Sequence, residues 1–279
     1  MGRLDGKVAV ITGGSSGIGR ATALALAAEG AALAISGRNA SALEEVAGKL
    51  KGAGGRVLAK QVDVRKERDI IDLIDSAAKE LGRVDIMVNN AGVSYPAPIT
   101  EGNAEEWREM LETNILALLI GCREAVRVMK NNTPPGGDIV NISSNATRHD
   151  IGKTNQVYAA TKHAVNAIGD GLRAEVHGSG IRVTTILPAM TLTNFARNWS
   201  QEVLDGAARF IGMDPEKEGV RRGQYLPQEG VDRTLREHPG LLLSPDDLAN
   251  AVLYAETQPP SVHIDEVLVR PSIGVNIGG

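Results

Sequence analysis

The sequence predicts an α/β fold built on a doubly wound parallel sheet. Three observations point there. Short apolar runs alternate with longer amphipathic stretches over the first two-thirds of the chain. The apolar runs are near-continuous rather than alternating, as for strands buried on both faces. Glycine-rich turns sit where strands hand over to helices.

The elements follow in order. Lys7–Thr12 reads as a strand and Gly17–Glu29 as an Ala- and Leu-rich helix. Ala32–Ser36 is the second strand, and Ser41–Gly52 a helix with Ser41 as its N-cap. Arg56–Gln61 and Lys66–Leu81 form the next strand and helix, and Ile86–Asn89 the fourth strand. One continuous helix is expected over Glu105–Met129. Asp138–Ile142, Val157–His177 and Arg182–Leu187 continue as strand, helix, strand. Residues 190–243 break the pattern and read as a substrate-covering excursion of short helices. Ser244-Pro245-Asp246-Asp247 opens a further helix with Pro in its first turn, and Glu266–Val269 supplies a last strand. With no repeat and no low-complexity linker, residues 1–279 read as one domain.

Composition narrows the partners. The 279 residues are 42% hydrophobic and 23% charged, with a net charge of −4, which is ordinary for a globular protein. The 30 basic residues form no dense run, which argues against nucleic acid or an anionic membrane as partner. No apolar run reaches the ~18 residues of a membrane span, and the charged start does not read as a signal peptide. A single cysteine, Cys122, and five scattered histidines leave no metal-ligand spacing. A cytoplasmic setting is the expectation.

The chemistry begins at Thr12-Gly13-Gly14-Ser15-Ser16-Gly17-Ile18-Gly19, directly after the first strand. Gly13, Gly17 and Gly19 let backbone approach a pyrophosphate, and the helix that follows aims its N-terminus at the anion. Ser15, Ser16 and Ile18 complete this cofactor-binding turn. A ligand-free glycine turn is the plainer reading of the motif alone. At the end of the second strand, Ser36-Gly37-Arg38 carries no acid to bind ribose hydroxyls; Arg38 either is a solvated base at a helix entry or suits a 2′-phosphate, and with the acid missing the reading is NADP(H) in preference to NAD(H). Asp63, with Val64 beside it, is placed either to accept from the adenine amino group or to cap the next helix.

Tyr158 and Lys162 lie four apart, on one face of a helix. An ammonium beside a phenol lowers its pKa and makes a general acid/base of it, although the pair taken alone is a common one on helix surfaces. Ser143 and Ser144 end a strand where doubly wound sheets place their sites. Asn89-Asn90-Ala91-Gly92 ends another, and Asn114 sits in an apolar helical stretch, where a buried amide needs partners or marks a kink.

In this ordered set, TGGSSGIG, NNAG, Asn114, Ser143-Ser144 and YAATK, the chain resembles the short-chain dehydrogenase/reductase family of the tyrosine–lysine type, from about residue 5 to 194 and again from Ser244. The resemblance implies a Rossmann-like sheet of about seven strands in the order 3-2-1-4-5-6-7, and hydride transfer between NADP(H) and a carbonyl or alcohol carbon of a small molecule. It implies Tyr158 as general acid/base, Lys162 as its electrostatic partner and ribose ligand, Ser144 as carbonyl polariser, with Ser143 as rival, and Asn114 as holder of a relay water. Asn90, Ala91, Gly92, Pro188, Thr191 and Thr193 would line the cofactor. A homotetramer or homodimer is implied as well. The family pattern is broken at Ala189, where glycine is usual, and at Ser16, where some NADP-preferring members carry a base. An NADP(H)-binding sensor or scaffold without turnover is the alternative function, disfavoured by the intact Tyr158–Lys162 pair.

The substrate end is the least legible part. Ser94, Tyr95, Pro96, Ser144, Asn145, Met190 and Phe195 are the expected pocket walls, with His149 and Lys153 as polar contacts or solvated loop residues. Phe195 and Trp199 form either an apolar lid face or packing beneath it.

Overall fold

The fold is taken from a computed structural model, which describes residues 2–148, 152–210, 212–224, 227–237 and 240–273. His149 and His238 lie outside the described residues.

Seven strands form one sheet in the order β3-β2-β1-β4-β5-β6-β7. They are β1 (Val8–Ile11), β2 (Ala32–Gly37), β3 (Val57–Gln61), β4 (Ile86–Asn89), β5 (Gly137–Ile142), β6 (Ile181–Pro188) and β7 (Glu266–Val269). Every pairing is parallel. The register sets Ile11 against Ile35 and Val88, and Ile142 against Ile186. The C-terminal ends of β1, β4, β5 and β6 therefore share one edge.

The strands between the edges carry apolar residues to both faces, which is why they read as unbroken runs. Val10, Ala34, Met87, Ile139 and Val183 join the core on one face, beneath α3 (Glu67–Leu81), α5 (Ala117–Met129) and α6 (Gln156–Glu175). Their neighbours Ala9, Ile11, Leu33, Ile35, Val88 and Ile186 join the other, beneath α1 (Gly17–Ala28), α2 (Ala40–Gly52) and α9 (Pro245–Glu256). The period of two along each strand thus builds two cores from one sheet.

Three local expectations are corrected. Asn39, not Ser41, caps α2: its side chain accepts from the Ala42 N–H at 3.1 Å, and Ser41 donates to Asn39 instead at 2.8 Å. The continuous helix expected over Glu105–Met129 is broken. It runs as α4 (Ala104–Leu111), a wide π-helical turn over Glu112–Leu116, then α5. The wide turn holds one more residue than an α-turn and is where Asn114 reaches out of the helix. α3 starts at Glu67 rather than Lys66.

The predicted opening of α9 holds. Ser244 and Asp247 form a reciprocal capping box with Pro at the helix start, an arrangement that stabilises by ~1 kcal/mol.

Residues 190–243 form short helical pieces, as expected: a 3₁₀ turn (Asn194–Asn198), α7 (Gln201–Phe210) and α8 (Gln228–Glu237). They gather around their own small cluster of Leu192, Leu204, Ala208, Met213, Val220 and Leu242. A single parallel bridge between Thr191 and Leu243 ties the two ends of the excursion together. Among the described residues, no helix is long and apolar enough to cross a membrane.

Candidate active site

The site lies along the shared edge of β1, β4, β5 and β6. At its β1 end the glycine turn is folded tightly. Gly13 has φ +68°, which favours glycine, and a Cβ on Gly19 would stand 2.3 Å from the Gly13 carbonyl oxygen and 2.5 Å from Asn90 Nδ2. Asn90 braces the turn from β4: Nδ2 donates to the carbonyls of Thr12 at 2.9 Å and Gly13 at 3.2 Å. The Thr12 hydroxyl accepts from the N–H groups of Asn90 and Ala91, both at 3.1 Å. Ser15 lies against Gly37, and Ile18 packs on the core below.

Ser16 is the N-cap of α1, yet its side chain makes no capping bond and the first turn holds no acid. The exposed N–H groups and partial positive charge of this helix start therefore face the turn uncompensated by protein. Thr193 stands over the same turn: a Cβ on Gly17 would come within 3.3 Å of its side chain. Thr191 Oγ1 instead turns back to the Ala189 carbonyl at 2.8 Å.

At the end of β2, Arg38 pairs with Glu109 of α4 at 3.0 Å. Asp63 does not cap α3. Its carboxylate takes a forked grip from Arg65, with Nη2 to Oδ2 at 2.6 Å, and this pairing holds Asp63 below its usual range. Arg65 also reaches Glu109, at 3.6 Å. Val64 packs against the core. Arg65, two positions after Asp63, was not singled out by sequence. Its signal was a second base beside a strand end already suspected of meeting the adenosine.

Further along the edge, Asn114 is 2% exposed and fully engaged. Its Oδ1 accepts from the Val93 N–H at 2.9 Å, and its Nδ2 donates to the Val93 carbonyl at 2.9 Å and to Thr161 Oγ1 at 3.0 Å. One carboxamide thus satisfies both backbone groups of Val93 and pins the loop after β4 to α6. Gly92 lies beside it: a Cβ there would make ordinary contacts with Asn114 Oδ1 at 3.4 Å, Lys162 Nζ at 3.7 Å and the Phe195 ring at 3.8 Å.

Tyr158 and Lys162 sit on the first turns of α6, facing this space. Burial pushes the Tyr158 hydroxyl up to about 12, opposed by a hydrogen bond with the Ser144 hydroxyl. Burial also pulls Lys162 down to about 8. Its ammonium donates to the Ile142 carbonyl at 2.9 Å and lies 5.8 Å from the centre of the Tyr158 ring. At that distance, burial outweighs any lowering of the phenol by the ammonium. Ser143 points elsewhere, to Asn166 Oδ1 at 2.6 Å and the Lys162 carbonyl at 3.2 Å. Of the two serines, Ser144 is the one beside Tyr158.

The substrate-side residues are partly gathered. The Phe195 ring lies against Tyr158, with centroids 5.6 Å apart. Ser94 Oγ is buried without a hydrogen-bond partner. Asn145 opens a short 3₁₀ turn whose N-cap is Ser144. Pro188 ends β6 and is buried. Met190 is exposed, as is Lys153. Tyr95 is drawn toward α4, donating to Glu109 Oε2 at 2.7 Å. Burial first, and the Glu109 carboxylate second, push that phenol up to about 12.

Comparison with known proteins agrees with this geometry. The family model described as short chain dehydrogenase matches residues 7–204. Dehydrogenase/reductase SDR family member 11 of Bos taurus is 33% identical over 98% of this chain and 98% of its own length. Glycine betaine reductase ATRR of Emericella nidulans is 35% identical over 97% of this chain, which spans only 19% of that larger protein. Among solved structures, a short-chain dehydrogenase from Burkholderia cenocepacia in complex with NADP superposes with a TM-score of 0.77 at 25% identity, covering 96% of this chain and 98% of the other. The sheet order, the glycine turn and these matches together place the chain in the short-chain dehydrogenase family.

Proposed function

We propose that the chain is an NADP(H)-dependent oxidoreductase acting between a carbonyl and an alcohol carbon of a small organic molecule. The observation that carries this reading is the convergence of Tyr158, Ser144 and Lys162 beside the glycine turn, at one edge of the sheet. The residues fit a dinucleotide. Glycine at position 19 keeps the turn closed, since a Cβ there would clash with the Gly13 carbonyl, and the start of α1 offers N–H donors that no side chain of the first turn occupies. Arg38 and Arg65 suit the 2′-phosphate, and no acid ends β2 to claim the ribose hydroxyls. The NADP complex of the Burkholderia cenocepacia relative supports the same choice.

A bound nicotinamide would give or take the hydride. Tyr158 would give or take the proton at the substrate oxygen, and Ser144 would hold that same oxygen by hydrogen bonding. Lys162, still protonated at neutral pH, would favour negative charge on Tyr158 and bind the nicotinamide ribose. Asn114 fixes the loop at Val93, which keeps Gly92 clear beside Lys162. Gly13, Gly17, Gly19, Asn90, Ala91, Pro188 and Thr193 would border the cofactor, and Ser94, Asn145, Met190 and Phe195 the substrate. α5 and α6 leave a groove bordered by Leu119, Val126, Ile168 and Leu172, which supports pairing of two copies.

The test is Tyr158→Phe. NADPH binding, followed by nicotinamide fluorescence, is expected to persist while turnover of a panel of aldehydes and ketones falls at least ~100-fold. Retained turnover would remove Tyr158 from the chemistry.

A further inference from the structure

Four charged side chains close on one another at the adenosine end of the site. Arg38 meets Glu109 Oε1 at 3.0 Å, and Arg65 meets the same oxygen at 3.6 Å. Asp63 holds Arg65 from the other side at 2.6 Å. The two guanidinium charges are therefore matched, one for one, by two carboxylates of the protein itself. Glu109 is also fixed in place, because its second oxygen accepts from Tyr95 at 2.7 Å. Its side chain is only 21% exposed, against 44% for Arg38. The carboxylate is thus the anchored member of the pair and Arg38 the more exposed one.

We propose that Glu109 is a specificity-determining residue: it acts as an internal counter-anion to Arg38, competes with the 2′-phosphate of NADP(H), and thereby lowers discrimination against NAD(H). The inference rests on the reading of Arg38 as the 2′-phosphate ligand. An incoming phosphate dianion meets a pair of arginines already neutralised. To bind Arg38 through two parallel N–H bonds it must draw the guanidinium off Glu109, and it then shares the space with that carboxylate. A cofactor with a free 2′-hydroxyl brings no such charge and is indifferent to Glu109.

The test is Glu109→Gln, which keeps the shape and an acceptor for Tyr95 but removes the charge. NADPH and NADH are titrated separately into wild type and variant at low and high salt, following nicotinamide fluorescence. NADPH is expected to bind about two- to fivefold more tightly to the variant at low salt, the scale of one partly exposed ion pair. NADH affinity should stay within about twofold, and the NADPH gain should shrink at high salt as screening sets in. Weaker NADPH binding would overturn the proposal and make Glu109 a positioning residue for Arg38. An equal gain for both cofactors, or no change for either, would overturn it too. Arg38→Ala in the same titration separates the two layers. If NADPH affinity survives that change, the reading of Arg38 is what fails. If it is lost while Glu109→Gln gains nothing, only the role of Glu109 fails. Glu109→Ala, which removes charge and acceptor together, should give the same direction if the Gln variant folds poorly.

Discussion

Gly19→Ala tests whether the glycine turn is as tightly closed as its geometry indicates. The added Cβ would stand 2.3 Å from the Gly13 carbonyl oxygen. That is about 1 Å inside an ordinary van der Waals contact. The clash is with backbone, so no rotamer change relieves it. Its second neighbour, Asn90 Nδ2 at 2.5 Å, is held by the Thr12 and Gly13 carbonyls, so moving it sacrifices two hydrogen bonds. Overpacking of this kind costs ~1–3 kcal/mol, and each lost hydrogen bond ~1 kcal/mol. A total of ~3–5 kcal/mol lowers the melting temperature by ~6–20 °C in a chain of this size. The turn is also displaced from the start of α1, and NADPH affinity should fall at least ~10-fold. Thermal melting by circular dichroism and a fluorescence titration read the two effects. Gly48→Ala is the control. It lies within α2, where a Cβ meets nothing within 4 Å, and should stabilise by ~0.5–1 kcal/mol. Wild-type melting and wild-type NADPH affinity in Gly19→Ala would refute the close-approach argument.

Two further outcomes are expected. Asn114→Ala leaves the N–H and C=O of Val93 without their partners inside the protein, and should cost ~3 kcal/mol by urea unfolding, more than a surface substitution would; a change under ~1 kcal/mol would mean that the loop re-pairs elsewhere. For Lys162, the folded chain releases the proton near pH 8, while the unfolded chain keeps it until about 10.5. Between those values the unfolded state holds the extra proton, so the contribution of Lys162 to stability rises with pH. If the ammonium assists Tyr158, kcat/KM for carbonyl reduction should fall above pH about 8 while stability does not. A profile flat to pH ~10 would remove the charge of Lys162 from the reaction.

Much of the fold was legible because the strands are short, apolar and separated by helices of clear period. β4 and β7 fall on the residues expected, and the capping box of α9 is written in four consecutive letters. What escaped was decided by contacts across the sequence. Asn39 and Ser41 are both good N-caps two residues apart, and only the path of the chain leaving β2 chooses between them. The wide turn at Glu112–Leu116 was signalled only by Asn114, a buried amide expected either to need partners or to mark a kink, and its extent was not legible. It appears because Asn114 finds the backbone of Val93, 21 residues earlier. The candidate site divides in the same way. The glycine turn and the Tyr158–Lys162 spacing are local, so they were read directly. The Arg38–Glu109 pair joins residues 71 apart and needed the fold to bring it together.

The bridge between Thr191 and Leu243 has a consequence for how this chain can vary. Leu192 N–H donates to the Leu243 carbonyl at 2.9 Å, and Leu243 N–H to the Met190 carbonyl at 3.0 Å, so the segment that departs after β6 is closed at one point just before α9. The segment in between packs largely on itself. For such a closed segment, doubling its length adds only ~0.6 kcal/mol of closure entropy. Changes of length beyond Thr193 and Phe195, in the part that packs on its own cluster, are therefore expected to cost little, while the strands that carry Tyr158's neighbours keep their register. Shape at the mouth of the cleft can drift over generations independently of the machinery at its floor.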